Sequence, residues 1–185
     1  SSERMFYQKV TDIYATSIDY KVDAELTQKF FATVQNKMHY AVHGHTAAEI
    51  IALRADNKKP IMGLTSFKSD YITTDDIVIA KNYLTEVEIK QLNLIVSLYI
   101  DFAELQVANG RLMKMQDWIN KLDEFLTISE KKLLRSAGLV SAKQAEQKAF
   151  EEFKKYRAGR DKNYISDFDR EVKKLIESKK KKKIT

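Results

Sequence analysis

Residues 86–108 read EVEIKQLNLIVSLYIDFAELQVA, the longest stretch of the chain in which apolar residues recur with a helical pattern. On a helix, apolar side chains such as Leu92, Leu94, Ile95 and Ile100 would point to nearly every side. A helix that is apolar all round has to be covered by protein on most sides. We therefore predict an all-α fold, an irregular multi-helix bundle around a central apolar helix at about residues 86–108.

Three capping boxes mark where helices begin. In this motif a Ser or Thr side chain accepts a hydrogen bond from the backbone N–H three residues on, and a Glu or Gln there accepts one in return. The pairs are Thr46 with Glu49, Thr85 with Glu88, and Ser141 with Gln144. Together with apolar periodicity they predict helices at residues 2–14, 24–42, 47–55, 74–83, 86–108, 115–126 and 129–137, a long helix from 141 to 157 or beyond, and a short one at 167–176.

The composition excludes several classes of protein. The chain has 185 residues, enough for one ordinary core, and only five glycines and one proline, too few for a loop-rich fold. Because it has no cysteine, it forms no disulfide, Fe–S cluster or cysteine-based zinc site. No run of about 18 apolar residues is present, so we expect a cytoplasmic protein without a membrane span. A helical pattern begins at once, with no signal peptide, and we therefore expect a piece of a longer protein.

The net charge of +6 lies almost entirely in the C-terminal tail. Residues 179–183 are five lysines, and the other 27 basic residues nearly cancel the 26 acidic ones. Such a run is usually a solvated tail, but it can also contact nucleic-acid phosphates. We divide the chain into a helical domain at residues 1–165 and a charged helix with a lysine-rich tail at residues 166–185.

All three histidines fall within seven residues, at positions 39, 43 and 45. His39 and His43 are four residues apart and so share one face at the end of a predicted helix. Because imidazole titrates near neutral pH, both are candidates for catalysis or substrate contact, with Glu49 as the third catalytic candidate. The alternative is structural, since the helix dipole favours histidine at a C-terminus and Glu49 has a capping role. A metal would need a further ligand, and we assign neither a metal site nor a cofactor.

The longest stretch without helical periodicity follows the third predicted helix and holds a second candidate site. Lys59, Thr65, Ser66 and Lys68 lie around Gly63. Lysines and free backbone N–H groups both favour anions, so these four residues are candidates for binding a phosphate or a substrate. The spacing is not that of a P-loop. The competing interpretation is a packed loop whose apolar residues fill the core while its lysines stay in solvent.

Nine runs of the chain, in order, resemble the virulence-protein RhuM family of bacterial genomic islands and mobile elements. These runs are residues 6–20, 30–41, 46–51, 54–56, 62–66, 80–84, 117–123, 155–157 and 166–169. The resemblance covers about residues 5–170 and implies a C-terminal domain that works with an N-terminal DNA-binding-like region, which these residues lack. Two positions depart from the family pattern. His45 stands where a lysine or another polar residue is usual, which argues against an obligatory metal ligand there, and Phe67 stands where tryptophan is common.

The resemblance implies no assigned reaction, and three functions remain open. The first is a self-association or partner-binding module, with a second copy or another protein as its partner, that acts beside the DNA-binding region. The second is a catalytic domain acting on nucleic-acid phosphodiesters, in which His39 or His43 is the acid–base group and Lys59 or Lys68 stabilises charge. The third is direct nucleic-acid binding assisted by the lysine tail. We expect no membrane partner.

Overall fold

The computed structural model describes the backbone of residues 2–184 and the side chains of residues 5–162 and 168–183. The prediction of an all-α fold is confirmed, because the described residues form helices and no strand. Within the described backbone six α-helices are joined by loops, and three short 3-10 helices, Pro60–Gly63, Asp76–Val78 and Ala80–Tyr83, lie between the third and the fourth. The α-helices are α1 (Ser2–Ala15), α2 (Ala24–His43), α3 (Ala47–Arg54), α4 (Glu86–Ala108), α5 (Met115–Ile128) and α6 (Ala142–Ile184).

The three predicted capping boxes are confirmed. The Thr46 and Thr85 hydroxyls accept from the backbone N–H of Glu49 and Glu88, and both carboxylates accept in return from the threonine N–H, at 2.8 Å. At the start of α6 the same exchange joins Ser141 and Gln144. Each box satisfies two backbone donors that the first turn leaves without partners. For this reason the starts of α3, α4 and α6 could be located from sequence.

The bounds of the central helix are confirmed, but the prediction that it is covered on most sides is wrong. Its inward face packs on α1, α2 and α5 and buries Leu92, Ile95, Tyr99, Ile100 and Ala103. On the outward face Val87, Leu94, Leu98 and Leu105 are 65, 63, 51 and 57% exposed. The reason is geometric: the packed helices lie on one side of α4, so the apolar side chains on its outward face have no covering element among the described residues.

The helix predicted at residues 74–83 is wrong, since two 3-10 helices stand there, separated by an extended Ile79. Side chains form hydrogen bonds with backbone groups that would have paired with each other in an α-helix. The Asp76 carboxylate accepts from the backbone N–H and the hydroxyl of Thr73, and the Asn82 amide donates to the Asp76 carbonyl. The buried Tyr83 hydroxyl donates to the carbonyl of Ile77 at 2.6 Å.

Two predictions in the C-terminal half are also wrong. Residues 129–137 form a turn followed by an irregular stretch rather than a helix, because Glu130 adopts a left-handed conformation and the Leu134 carbonyl accepts from the ammonium of Lys37 instead of from a helical N–H. The break expected between the long helix and a separate short helix at residues 167–176 is missing, and α6 runs unbroken for 43 residues. Gly159 is tolerated there because an internal glycine costs a helix only about 1 kcal/mol. The division at residue 165 stays a prediction.

None of the described helices combines the length and the apolar character that crossing a membrane requires.

Candidate functional site

The two histidines predicted to share a helix face are in direct contact. His39 and His43 lie in the last two turns of α2, and His39 Nδ1 is 2.9 Å from His43 Nε2. His39 is only 2% exposed, and His43 is partly buried. The ring of His45 stacks on that of His43 at a centroid distance of 6.1 Å. The end of α2 therefore carries a row of three imidazoles whose inner two are hydrogen-bonded.

Burial keeps the inner two imidazoles neutral. Loss of hydration and then the neighbouring His43 lower the pKa of His39 to about 3. Burial likewise lowers the pKa of His43 to about 4, against the opposing effect of the Glu88 carboxylate. A group with such a pKa is not an imidazolium at neutral pH, so it is no general acid there, and it is a weak base, which is a poor match to general acid–base catalysis.

The hydrogen bond between the rings assigns their tautomers. In two neutral imidazoles one ring donates and the other accepts. His43 Nδ1 is buried and has no hydrogen-bond partner among the described residues. An unpaired buried acceptor is less costly than an unpaired N–H, so we place the His43 proton on Nε2, where it donates to His39 Nδ1. His39 then carries its own proton on Nε2.

An ion pair stands next to the histidines. The Arg54 guanidinium donates two hydrogen bonds to the Glu88 carboxylate, at 2.6 and 2.8 Å, and a third to the carbonyl of Tyr83. The hydrogen bond from Arg54 lowers the pKa of Glu88 to about 2 against the effect of burial. Since Glu88 is also the capping residue of α4, this pair ties the end of α3 to the start of α4.

The carboxylate of Glu49, the third catalytic candidate, is held by backbone hydrogen bonds. One carboxylate oxygen accepts from the Thr46 N–H, and the other accepts from the Leu139 N–H at 2.7 Å. Burial opposes ionisation of Glu49, but these backbone donors outweigh it and lower its pKa. The carboxylate thus joins α3 to the loop before α6.

A cavity of about 360 Å³ lies between α1, α2 and α4, and His39 is one of its lining residues. Apolar side chains from all three helices form most of its wall, and Lys9, Gln35, Lys81, Asn93 and Ser97 supply the polar groups. Of the predicted catalytic residues only His39 lines it. His43 contacts His39 without lining the cavity, and Glu49 stands apart from it at the start of α3.

The predicted anion-binding residues do not join this cavity. The Thr65 hydroxyl donates to the carbonyls of Asn82 and Leu84, and the Ser66 hydroxyl donates to the side chain of Asn82. Lys59 and Lys68 are exposed, and neither lines the cavity at His39. In the part of the chain with described side chains, no three His, Asp or Glu residues are placed to hold a metal ion.

A comparison with known protein families identifies the family of this chain. The family model described as the Virulence protein RhuM family matches residues 1–165. The chain belongs to the RhuM family. The resemblance carried by the nine sequence runs is thereby confirmed. No curated protein and no solved structure matches this RhuM-family chain.

Sequence reasoning missed most of the cavity in this RhuM-family domain. Lys81 sits in a 3-10 helix and Asn93 and Ser97 on α4, far along the chain from His39, so spacing carried no signal for their meeting. The Arg54–Glu88 pair did leave a signal. Arg54 ends α3 and Glu88 belongs to a capping box, so each was a charged residue next to a predicted helix end.

Proposed function

We propose that this RhuM-family domain is a self-association module, in which α4 pairs with α4 of a second copy in antiparallel orientation. The observation that carries the proposal is the stripe of exposed aliphatic side chains on α4, formed by Val87, Leu94, Leu98 and Leu105. Exposed apolar residues that adjoin one another are typical of protein–protein contacts. A second copy would supply the cover that the domain itself leaves out.

The α4 stripe has the spacing of a coiled-coil seam. When Gln91 and Asp101 are included, its residues are separated alternately by four and three positions. This repeat of about 3.5 residues keeps one face of a helix against a partner helix over several turns. Between Val87 and Leu105 the stripe is about 27 Å long, because an α-helix rises about 1.5 Å per residue.

The pattern along the α4 stripe is the same in both directions. From residue 87 to residue 105 it is apolar, polar, apolar, apolar, polar, apolar. An antiparallel alignment centred between Leu94 and Leu98 therefore sets apolar against apolar and polar against polar. The facing pairs are Val87 with Leu105, Gln91 with Asp101, and Leu94 with Leu98. A two-fold interface needs this self-complementarity, because the patch has to fit its own copy.

The charges beside the α4 stripe match the same alignment. Lys90 and Glu104 flank it on one side, and antiparallel pairing sets Lys90 of one copy near Glu104 of the other. Within one copy both make exposed contacts: Lys90 Nζ is 3.6 Å from Glu86, and Glu104 is 3.5 Å from Lys9 Nζ. Exposed pairs of this kind contribute little, so both charges can turn to a second copy at low cost.

Self-association would also suit the longer architecture that the family resemblance implies. A DNA-binding region attached ahead of α1 would be presented twice, with the two-fold symmetry of the α4 pair. Dimeric DNA-binding proteins use that symmetry to contact two half-sites. The role proposed for the domain is thus to bring two such regions together.

Sedimentation velocity of the domain and its charge variants tests this proposal. We expect a concentration-dependent dimer for the wild-type chain and a monomer for Leu98→Glu, since the substitution puts a charge at the centre of the seam. Lys90→Glu and Glu104→Lys should each weaken the dimer, and the double variant should recover it, because exchanging the two charges restores the pairing.

Leu139→Glu is the matched control, because Leu139 is 94% exposed but lies outside the α4 stripe. It should leave the dimer unchanged. A wild-type chain that stays monomeric up to its solubility limit would overturn the proposal. Equal effects of Leu98→Glu and Leu139→Glu would overturn it as well, as would a charge-exchanged double variant no better than the singles.

A further inference from the structure

We propose that the α6 cleft, which lies between residues 71–74 and residues 153–161 of α6, binds a nucleotide unit. The base would stack on Tyr71, and Arg157 and Arg160 would hold the phosphate. The cleft has a volume of about 480 Å³, which is in the range of small-ligand sites. Its lining combines aromatic rings, guanidinium groups and a carboxylate, which suit a base, a phosphate and a ribose respectively.

Both walls of the α6 cleft are anchored in the core. On one side Ile72 is buried, and the backbone N–H and the hydroxyl of Thr73 donate to the Asp76 carboxylate at 2.9 and 3.0 Å. On the other side Phe153 is buried beneath α6. Because this anchoring forms the cleft before a ligand arrives, it lowers the entropy cost of binding.

Tyr71 supplies an aromatic surface at the cleft. Its neighbour Ile72 is only 7% exposed, whereas Tyr71 is 67% exposed. An exposed ring beside basic residues is the arrangement on which nucleic-acid bases stack, and every base has a π face that can do so. The base has to be unpaired, so the cleft suits a free nucleotide or a single strand, whereas a duplex keeps its bases stacked on one another.

The two arginines are held with their guanidinium groups over aromatic rings of α6. Arg157 Cζ lies 5.7 Å from the ring centroid of Phe153, and Arg160 Cζ lies 5.9 Å from that of Tyr156. Among residues 5–162 and 168–183 neither guanidinium is paired with a carboxylate. A stacked guanidinium still presents N–H donors at its edge, and their fork matches two phosphate oxygens.

Asp161 adds an acceptor to the same lining. A carboxylate repels an inorganic phosphate, but it accepts hydrogen bonds from sugar hydroxyls, as acidic residues do for ribose in dinucleotide sites. The two arginines together with Asp161 therefore favour a nucleotide over an inorganic anion.

Isothermal titration with adenosine monophosphate (AMP) tests this inference. We expect saturable binding of AMP at one site per chain. Adenosine, which lacks the phosphate, and ribose 5-phosphate, which lacks the base, should each bind at least tenfold more weakly. Replacing the lysines at residues 179–183 with glutamine should leave AMP binding unchanged, because these residues lie outside the cleft.

A single-stranded adenylate hexamer identifies the source of the nucleotide unit. It is titrated into the chain with the glutamine tail, so that the five lysines make no phosphate contacts. Binding more than tenfold tighter than that of AMP indicates a strand as the ligand, and any weaker binding indicates the free nucleotide.

Substitutions in the cleft separate recognition of the base from recognition of the phosphate. Tyr71→Ala should weaken AMP binding about tenfold through the loss of one stacked base, whereas Tyr71→Phe should retain it. Arg157→Met and Arg160→Met should each weaken it about tenfold through the loss of a charge-assisted hydrogen bond. Arg111→Met is the matched control and should leave it unchanged, because Arg111 is exposed and lies outside the cleft. Circular dichroism checks that each variant is folded.

Several results would overturn the inference. Neither AMP nor the hexamer would bind, or ribose 5-phosphate would bind as tightly as AMP, which would mean that the cleft recognises no base. Equal affinities of wild type and Tyr71→Ala, or equal effects of Arg160→Met and Arg111→Met, would also refute it. The Leu98→Glu variant should still bind AMP, because Leu98 lies on the α4 stripe. Loss of AMP binding in folded Leu98→Glu would contradict the assignment to the α6 cleft.

Discussion

His39 and His43 are kept neutral in the folded protein at a pH where the unfolded chain would protonate them. The values of about 3 and about 4 lie below the ordinary imidazole pKa of 6.5. As the pH falls below 6.5, the unfolded chain takes up protons that the folded chain does not. This uptake stabilises the unfolded state relative to the folded one. Stability should therefore be fully present above pH 6.5 and be lost as the pH falls towards 4.

We expect the free energy of unfolding to fall between about pH 7 and pH 5 by up to about 1.4 kcal/mol per pH unit for each proton taken up. Urea denaturation at a series of pH values measures it. The matched control is His39→Gln with His43→Gln, whose stability should change less with pH whatever its absolute value. The charged or titrating neighbours that act on the pair, namely Glu88, Lys81, Arg54, His45 and Glu49, remain in both proteins. Parallel pH profiles for the two proteins would contradict the prediction.

The contact between His39 and His43 could be predicted from sequence, and the cavity could not. A spacing of four residues on a helix fixes which side chains are neighbours, since the helix geometry is local. The cavity depends on how α1, α2 and α4 pack, and on Lys81 arriving from a 3-10 helix. No local pattern encodes that packing. The same limit applies to Thr65 and Ser66, whose polar side chains suggested anion binding but donate to Asn82 and Leu84.

At the scale of elements, the loop before α6 is fitted to the start of α3 through Gly138. A Cβ atom at Gly138 would lie 2.6 Å from Thr46 Cγ2 and 3.2 Å from the Glu49 carboxylate, and its φ is +89°. Gly44 has a similar φ of +78°, but nothing lies within 4 Å of the site of a Cβ atom. Gly159 has open space and an ordinary helical conformation. A comparison of the three glycines therefore distinguishes the cost of a left-handed backbone conformation from the cost of a steric clash.

We expect an ordered series of stabilities for three alanine variants, measured by urea denaturation. Gly159→Ala should be neutral or stabilising by up to about 1 kcal/mol, because alanine favours a helix. Gly44→Ala should cost about 1 kcal/mol, the cost of a left-handed residue with a side chain. Gly138→Ala should cost more than that, because it adds the contact with Thr46. If Gly138→Ala cost no more than Gly44→Ala, the close fit of this loop to α3 would be refuted.

The sequence predicted where helices begin better than it predicted which elements pack around them. The starts of α3, α4 and α6 follow from capping boxes, whose bonds join residues only three positions apart. The surroundings of α4 were predicted wrongly because an apolar surface does not say whether it is covered by its own chain or by another. The prediction of a helix at residues 74–83 is wrong because the side chains of Asp76 and Asn82 form hydrogen bonds with backbone groups that an α-helix would have paired with each other.

At the scale of the whole molecule, positive charge is concentrated on one element. Residues 142–184, which form α6, contain 15 basic and 8 acidic residues, whereas the rest of the chain has 17 basic and 18 acidic ones. Residues 168–183 are exposed along this helix, and five consecutive lysines lie near its end. If the domain contacts nucleic acid directly, this distribution assigns the contact to α6 and leaves the bundle nearly neutral.

We therefore expect any binding of duplex DNA by this domain to be weak, dependent on salt and carried by residues 179–183. Replacing these five lysines with glutamine keeps the length of α6, and it should flatten the dependence of affinity on salt by about 0.9 logarithmic units for each phosphate that the tail no longer neutralises. Fluorescence anisotropy at several salt concentrations measures this slope. The matched variant replaces Lys58, Lys59 and Lys68, in the loop between α3 and α4, and should leave the slope unchanged. If instead the slope survived in the tail variant and fell in the loop variant, phosphate recognition would belong to the bundle, and the loop would regain the anion-binding role that its composition suggested.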